Sequence, residues 1–284
     1  MEAFPDPLVI NLAPTGMIPR KEDNEHTPIS SDEIVEDVIS CAEVGITMAH
    51  LHARATDGEP ISTPEAFRPI LEGIRACDAG RDLILCVTTS GRKVKDFEAR
   101  AAVLDMDGMA KPDMASLTLG SLNFLRQESV NSPDMIRRLL QRMNDRGIKP
   151  ELEVFDLGMV NFAKVLIKEG LLKPPYYFNL LVGNIASAQA NLGHINMLID
   201  DLPDGSYWSL AGLGRFQKIA NGLAISIGGG VRVGLEDNIW LEEKPNRIPA
   251  KNIDLVKRVH AFAGAMGRPV ASPAGFREKL GLGH

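Results

Sequence analysis

Eight short β-rich runs alternate with segments of helical periodicity, and this alternation constrains the fold more than any other feature of the sequence. The runs lie at 8–13, 46–52, 83–89, 114–119, 151–155, 176–182, 206–212 and 230–236. Strands that are separated by helices pair in parallel through right-handed crossovers. Eight such units in 284 residues predict an α/β fold, the (β/α)8 TIM barrel, as a single catalytic domain over residues 1–284.

The segments between the runs carry apolar residues at helical spacing. The clearest is 30–45, where a serine and acidic residues precede Ile34, Val38 and Ala42. Further helices are predicted at 64–76, 94–105, 132–146, 159–170, 187–200, 214–225 and 252–267. A doubly wound open sheet is the alternative, but the first strand ends in "APTG" and lacks the glycine-rich dinucleotide turn of that fold.

The composition narrows the classes of partner. Hydrophobic residues make up 44% and charged residues 24% of the chain, as in globular proteins with a substantial core. A net charge of −6 provides no positive field, so we expect no nucleic-acid or membrane partner. No leader pattern and no run of eighteen apolar residues occurs, which predicts a cytoplasmic protein. Cys41, Cys77 and Cys86 lack paired spacing and are predicted to be buried thiols.

Two histidines lie at the end of the second predicted strand, in "HLH". Positions i and i+2 of a strand point the same way, so His50 and His52 share one face. Such a pair at the carboxyl end of a barrel strand suits a divalent metal, and neutral imidazole suits Zn²⁺. The competing interpretation is a hydrogen-bonded histidine in the core.

A catalytic zinc usually takes three protein ligands and keeps one position open. Glu236 ends the last predicted strand and shares its parity with Arg232, so it would complete a His₂Glu site. Asp237 starts the following loop and could direct a second carboxylate into the same cavity. The alternative for both acidic residues is a solvated loop or a helix cap.

The sequence resembles the β-keto acid cleavage enzymes from end to end. The motifs that carry the resemblance are "PTG", "HLHAR", "TTSG", "KPDMASLTLGSLNF", "PELEVFDLGMV", "AGLGR" and "GGGVRVGLEDN". Enzymes of this family condense acetyl-CoA with a β-keto acid and cleave the adduct to acetoacetate and a new acyl-CoA. The resemblance therefore implies an acetyl-CoA-dependent acyltransferase that assembles as a homotetramer.

The resemblance also implies roles for individual residues. Zn²⁺ would polarise the β-keto oxygen, and its ligands would be His50, His52 and Glu236. Asp237 matches the base that removes the α-proton of the acetyl thioester, and Arg232 would orient it or stabilise negative charge. Glu153 matches a carboxylate that fixes the geometry of the ligands.

Three positions match those that bind the substrate carboxylate in the family, namely Thr88, Gly91 and Ser116. Hydroxyl and backbone N–H groups suit an anion because they orient it without adding a metal ligand. Ordinary turn chemistry is the alternative for each of them.

Coenzyme A has no dedicated motif in this sequence, which lacks a P-loop. The segment "AGLGR" follows the seventh strand, where barrels often bind phosphate, and offers Gly212, Gly214 and Arg215. A tight turn before a helix is an equally good interpretation of these residues.

One position departs from the 3-keto-5-aminohexanoate cleavage enzyme that typifies the family. That enzyme has an acidic residue two positions beyond the glycine of "TG", and the acidic residue pairs with the substrate's amino group. Here Ile18 occupies the position, and an unpaired, desolvated ammonium would cost on the order of several kcal/mol. We expect Met17 and Ile18 to receive a neutral or apolar tail. Arg20 is either a receiver of a second carboxylate or a solvated loop charge.

Two other functions stay open at this stage. A metal-dependent aldolase or hydrolase would use the same zinc and base. A non-catalytic ligand-binding barrel would hold zinc only as a structural ion. Asp237, Arg232 and Glu153 favour catalysis, because a structural site has no use for a nearby base. The sequence does not identify the β-keto acid.

Overall fold

The structure, a computed structural model, describes residues 6–243 and 246–283. Eight parallel strands close into a barrel: β1 (Ile10–Leu12), β2 (Met48–Leu51), β3 (Ile84–Val87), β4 (Met114–Thr118), β5 (Lys149–Val154), β6 (Tyr176–Val182), β7 (Ser206–Gly212) and β8 (Gly230–Val233). Strand β1 pairs with both β2 and β8 and so completes the ring. The prediction of a TIM barrel is confirmed.

The described helices follow the strands: α1 (Ser31–Val44), α2 (Pro64–Ala76), α3 (Phe97–Ala101), α4 (Pro133–Arg146), α5 (Leu157–Lys168), α6 (Leu192–Asp200), α7 (Gln217–Ser226), α8 (Asn252–Ala265) and α9 (Pro273–Leu280). Their apolar faces and the outward faces of the strands form one continuous core. No helix within the described ranges is both long and apolar enough to cross a membrane.

Two helices are shorter than their periodicity predicts. Helix α3 gives way to a 3₁₀ turn at Ala102–Asp105. Helix α6 begins only after Asn191, whose side chain accepts a hydrogen bond from the backbone N–H of His194. Asparagine at this position caps the first turn, so the predicted start at 187 is wrong by five residues.

Helix α9 closes the end of the barrel opposite the carboxyl ends of the strands. Phe276 and Leu280 pack against residues near the beginning of strands, including Met48, Ile84 and Met114. The sequence analysis did not predict this helix, because only two of its eight residues are buried and the apolar periodicity is therefore weak.

Three short antiparallel hairpins follow β2, β4 and β8: Ala53–Arg54 with Pro60–Ile61, Leu122–Asn123 with Glu128–Ser129, and Trp240–Glu242 with Ile248–Pro249. They lie on the side of the barrel where active sites of this fold are built. Cys41 and Cys86 are buried, Cys77 is half-buried, and all three thiols are free.

Candidate active site and metal centre

A cavity of about 480 Å³ opens at the carboxyl ends of the strands. Its charged lining consists of Arg92, Glu153, Arg232, Glu236 and Asp237, with His52 beside them. Its apolar lining includes Met17, Ile18, Leu122, Phe124, Leu125, Phe155, Leu181 and Leu213. A mostly apolar cavity with a few converging polar groups has the chemistry of a small-molecule site.

His50, His52 and Glu236 converge at the edge of this cavity, which His52 and Glu236 line. The Nε2 atoms of the two histidines are 3.3 Å apart. Glu236 Oε1 lies 3.4 Å from His52 Nε2 and 3.9 Å from His50 Nε2. A tetrahedral zinc with bonds of about 2.1 Å separates its ligand atoms by about 3.4 Å, so two of these separations already match.

The carboxylate of Glu236 also keeps an atom free for a cation. Its Oε1 accepts a hydrogen bond from Arg232 Nη2 at 2.7 Å. Its Oε2 is buried and has no hydrogen-bond partner among the described residues. Two imidazoles and a carboxylate that keeps one buried oxygen unpaired form a donor set that fits Zn²⁺.

The turn after β8 brings Glu236 and Asp237 into the cavity. The strand ends at Val233, earlier than predicted, and Gly234 has a φ of 149° that a side chain would strain. The loop after β1 packs onto this turn at Gly16, where a Cβ would overlap Glu236 Cγ. The glycine of "PTG" is therefore required by the close approach of these two loops.

Glu151 is the site residue that the sequence analysis missed. Its Oε2 lies 2.5 Å from His50 Nδ1, and its Oε1 accepts from Asn11 Nδ2 at 2.7 Å. Burial is the largest single influence on Glu151 and opposes its charge, but His50, Arg232 and Asn11 together outweigh it and hold the pKa of this carboxyl at about 2. A carboxylate on Nδ1 fixes the imidazole so that Nε2 faces the cavity. The only signal in the sequence was the pair of glutamates two residues apart in "ELE".

Glu153, which was predicted to fix the geometry of the metal ligands, contacts Thr118 and Arg232 instead of a histidine. Its Oε2 accepts a hydrogen bond from Thr118 Oγ1 at 2.6 Å, and its Oε1 lies 3.4 Å from Arg232 Nη1. The carboxylate that contacts a candidate metal ligand is Glu151 instead.

Arg232 joins the carboxylates of the site. The side chain is buried, with 1% of its surface exposed, and its Nε donates to Asp237 Oδ2 at 2.9 Å. Burial raises the pKa of Asp237, Glu236 adds to this effect, and Arg232 opposes it. The geometry therefore places a carboxylate with raised proton affinity at the edge of the cavity, held in a fixed orientation.

Of the three positions matched to substrate carboxylate binding, the structure places only Thr88 on the cavity. Ser116 Oγ accepts from the backbone N–H of Thr89 at 3.2 Å, and Thr89 Oγ1 donates to the Ser116 carbonyl at 2.6 Å. Gly91 is buried, and a Cβ there would overlap the carbonyl oxygen of Val130. Ser116 and Gly91 thus lie behind the cavity and shape the loop that carries Thr88.

The three candidate positions for binding coenzyme A lie in different surroundings. Gly214 lines the cavity, and its N–H donates to the Asp237 carbonyl at 2.7 Å. Gly212 packs against the backbone of Phe216, which would overlap any side chain. Arg215 lies over the Phe216 ring, 4.9 Å from its centroid, outside the cavity.

Met17 and Ile18 line the cavity as predicted for a tail-binding position, and Ile18 keeps 57% of its surface exposed. Arg20 is not part of the lining. Its guanidinium pairs with Glu59 at 2.5 Å, and Glu59 also pairs with Lys93. Arg20 is therefore neither an isolated loop charge nor a group that faces the cavity.

Arg54, the arginine of "HLHAR", is a structural residue of this region. Its buried guanidinium donates to the carbonyls of Thr15, Pro19 and Gly58. These bonds hold the loop after β1 against the hairpin after β2, and the loop in turn contacts Glu236 through Gly16.

Comparison with known proteins decides the family. A model of the beta-keto acid cleavage enzyme family matches residues 7–282. The chain belongs to the β-keto acid cleavage enzymes. Among curated β-keto acid cleavage enzymes, the 3-keto-5-aminohexanoate cleavage enzyme of Acetoanaerobium sticklandii is 36% identical over 97% of this chain and 98% of its own.

The 3-oxoadipate:acetyl-CoA acetyltransferase of Cupriavidus necator is also 36% identical, over 97% of this chain and 95% of its own. Family membership and these relatives confirm that the chain is an acyltransferase. Among solved structures, "Apo structure of ObcA" aligns with a TM-score of 0.81 at 20% identity and covers 91% of this chain and 66% of that one. This structural similarity supports the barrel fold.

Proposed function

We propose that this chain is a zinc-dependent β-keto acid cleavage enzyme that consumes acetyl-CoA and releases acetoacetate and a new acyl-CoA. The observation that carries the proposal is the convergence of His50, His52 and Glu236 on one cavity, with Asp237 bound to Arg232 beside them. The names of curated relatives that use acetyl-CoA support the choice of co-substrate.

His50, His52 and Glu236 would hold the zinc, which supplies a Lewis acid for the keto oxygen. Glu151 contacts Nδ1 of His50 and so leaves Nε2, on the side of the cavity, as the atom that would bind the metal. Arg232 neutralises part of the negative charge that four nearby carboxylates would otherwise accumulate around the site.

The balance of atoms decides which proton the base removes. Acetoacetate contains the acetyl group with its methyl intact, so the acetyl thioester reacts at its carbonyl carbon. The new bond must form from the carbon between the keto and carboxylate groups of the β-keto acid. The base therefore removes the α-proton of the β-keto acid, and our assignment of that proton to the acetyl thioester was wrong.

Asp237 takes this proton, and the carbanion attacks the acetyl carbonyl with departure of the coenzyme A thiolate. The thiolate then attacks the original keto carbon of the adduct. Breakage of the bond to the α-carbon releases the new acyl-CoA, and Asp237 returns its proton to acetoacetate. Arg232 fixes the orientation of Asp237 throughout, through Nε and Nη2.

The substrate carboxylate would meet the Thr88 hydroxyl, with Gly91 and Ser116 shaping the loop behind it. Ile18 and Met17 exclude a cationic tail because neither can pair with an ammonium group. Coenzyme A would approach past Gly214 and the "AGLGR" turn, with Gly212 allowing the turn and Arg215 on its outer side.

Acetyl-CoA labelled with ¹³C on both acetyl carbons tests the proposal. With 3-oxohexanoate as the second substrate, we expect acetoacetate labelled at its methyl and keto carbons, and unlabelled butanoyl-CoA. Omission of acetyl-CoA should abolish cleavage. Cleavage without the thioester would identify an aldolase or hydrolase instead, and absence of any turnover with a panel of β-keto acids would contradict the proposal.

A further inference from the structure

Arg92 lines the cavity but has no part in the function proposed above. Its guanidinium carbon lies 3.6 Å from the centroid of the Phe124 ring. Within the described residues its side-chain nitrogens form no hydrogen bond or ion pair, and Nε is buried. The other arginines nearby are anchored through their terminal nitrogens: Arg54, whose Nε also lacks a partner, binds three carbonyls, and Arg232 binds carboxylates.

The surroundings of Arg92 make this unpaired charge costly. Leu122, Phe124 and Leu125 line the same cavity, and the Phe124 ring covers the guanidinium, so the buried Nε is shielded from solvent without a hydrogen-bond acceptor. Burial lowers the pKa of Arg92, whereas Glu236, Glu153 and Asp237 act in the opposite direction. Arginine stays protonated in proteins, so the cavity contains a permanent cation that stacks on Phe124 but has no hydrogen-bonded or ionic partner among the described residues.

The acidic groups of the site are already engaged. Glu236 and Asp237 accept hydrogen bonds from Arg232, and Glu153 accepts one from Thr118. Glu236 would also be a zinc ligand. The side-chain donors of Arg92 are therefore free to bind a ligand, and the planar guanidinium suits a carboxylate through two parallel hydrogen bonds.

Two features of the substrates indicate which anion this is. The reactive carboxylate of a β-keto acid is attached to the carbon next to the keto group. In the proposed function Thr88 binds this carboxylate, near the metal ligands. The phosphates of coenzyme A are separated from the thioester by the long pantetheine arm, which extends out of a cavity of about 480 Å³. A carboxylate at the far end of the β-keto acid is the remaining anion of suitable size.

We propose that Arg92 binds a second, terminal carboxylate of the substrate, and that this enzyme's substrate class is the β-keto dicarboxylic acids. The inference rests on the proposed function. It agrees with Ile18, because an apolar residue at the tail position and a cation elsewhere in the cavity both select against an ammonium group.

The test compares a six-carbon β-keto diacid with 3-oxohexanoate, which has a methyl group in place of the terminal carboxylate. For Arg92→Met we expect kcat/KM for the diacid to fall about 30-fold or more, largely through KM, and that for 3-oxohexanoate to change less than about threefold. Arg92→Lys should retain part of the preference, since it keeps the charge but loses the planar donor pair. Lys93→Met is the matched control: this neighbouring cation pairs with Glu59 outside the cavity, and its loss should leave both substrates within about threefold.

An equal loss of kcat/KM for both acids in Arg92→Met would overturn the proposal and place Arg92 on the shared reactive carboxylate. The KM of acetyl-CoA could instead be the only constant that rises in Arg92→Met, with no such rise for the phosphate-free thioester S-acetyl-N-acetylcysteamine. That result would overturn the proposal and show that Arg92 binds a phosphate of coenzyme A.

Calorimetric binding of adipate and hexanoate to folded wild type and Arg92→Met separates this inference from the proposed function. We expect wild type to bind adipate more tightly than hexanoate, and Arg92→Met to bind the two acids with similar affinity. This comparison needs no turnover, so it decides the role of Arg92 even if acetoacetate is never formed. Equal binding of adipate by both proteins would contradict it.

Discussion

Asp237 depends on its neighbours for both its position and its proton affinity. Arg232 Nε and Nη2 contact its two carboxylate oxygens at 2.9 and 3.3 Å, while burial raises the pKa of the acid. A general base works best when its orientation is fixed and its pKa lies closer to the working pH than that of an exposed aspartate. Both residues belong to the motif "VRVGLEDN", so the short spacing between them allows this contact.

Asp237→Asn should remove the base but keep the hydrogen bond to Arg232 through the amide oxygen. We expect kcat to fall about 10²–10⁴-fold, with metal content and melting temperature close to those of wild type. The direct measurement is enzyme-dependent exchange of the α-protons of the β-keto acid with deuterated solvent. Exchange at the wild-type rate in the variant would exclude Asp237 as the base.

Ile18→Glu should shift the preference toward a substrate with an ammonium tail. Ile18 lines the cavity but is 57% exposed, so we expect the ratio of kcat/KM for 5-amino-3-oxohexanoate over 3-oxohexanoate to rise about tenfold at most. Ile219→Glu, at a similarly exposed isoleucine of α7 outside the cavity, controls for net charge. An unchanged ratio in Ile18→Glu would show that another residue contacts the tail.

At the scale of elements, helix α8 connects the two loops that build the site. Asn252 Nδ2 donates to the Pro14 carbonyl at 2.8 Å, and its Oδ1 accepts from the N–H of Leu235 at 2.8 Å. The same amide donates to Asp37 of α1 at 2.5 Å. One side chain thus fixes the loop after β1, the turn before Glu236 and the packing of α1 against α8.

Asp37 makes this junction sensitive to pH. Burial raises its pKa from 3.8 to about 7, and the hydrogen bond from Asn252 only partly opposes this. The folded state therefore binds the proton more tightly than the unfolded state, and this contribution to stability is complete below pH 3.8 and lost as pH rises toward 7.

Asp37→Asn should remove that pH dependence, because the amide accepts the same hydrogen bond without a charge. Urea unfolding at pH 5 and pH 8 checks this: the variant should gain stability relative to wild type at the higher pH. Glu36→Gln, at an exposed residue of the same helix, is the control. If the free energy of unfolding fell equally from pH 5 to pH 8 in Asp37→Asn and wild type, Asp37 would not be the source of the pH dependence.

At the scale of the whole molecule, the alternation of strands and helices was sufficient to predict the barrel, since it leaves few topologies open. His50 and His52 converge as their parity predicted, whereas Glu236 joins them through the turn after Val233 and not through the parity of the strand. The predicted homotetramer and cytoplasmic location stay predictions.

Glu151, Arg92 and helix α9 were not predicted, because no local sequence pattern identifies their positions. Glu151 is distinguished from Glu153 only by the tertiary register that aligns β5 with β4 and β6. Arg92 lies in a loop, where no periodicity indicates which side chain points into the cavity. Helix α9 is stabilised by the barrel floor and not by its own apolar pattern.

The zinc content of the purified protein tests the central claim most directly. Elemental analysis should find about one zinc per wild-type chain, and only a small fraction of that in His50→Ala, His52→Ala and the double variant. The barrel should stay folded, since the site lies at the strand ends. His194→Ala, on α6 away from the cavity, should retain the full amount. Stoichiometric zinc in the folded double variant would contradict the assignment of this site.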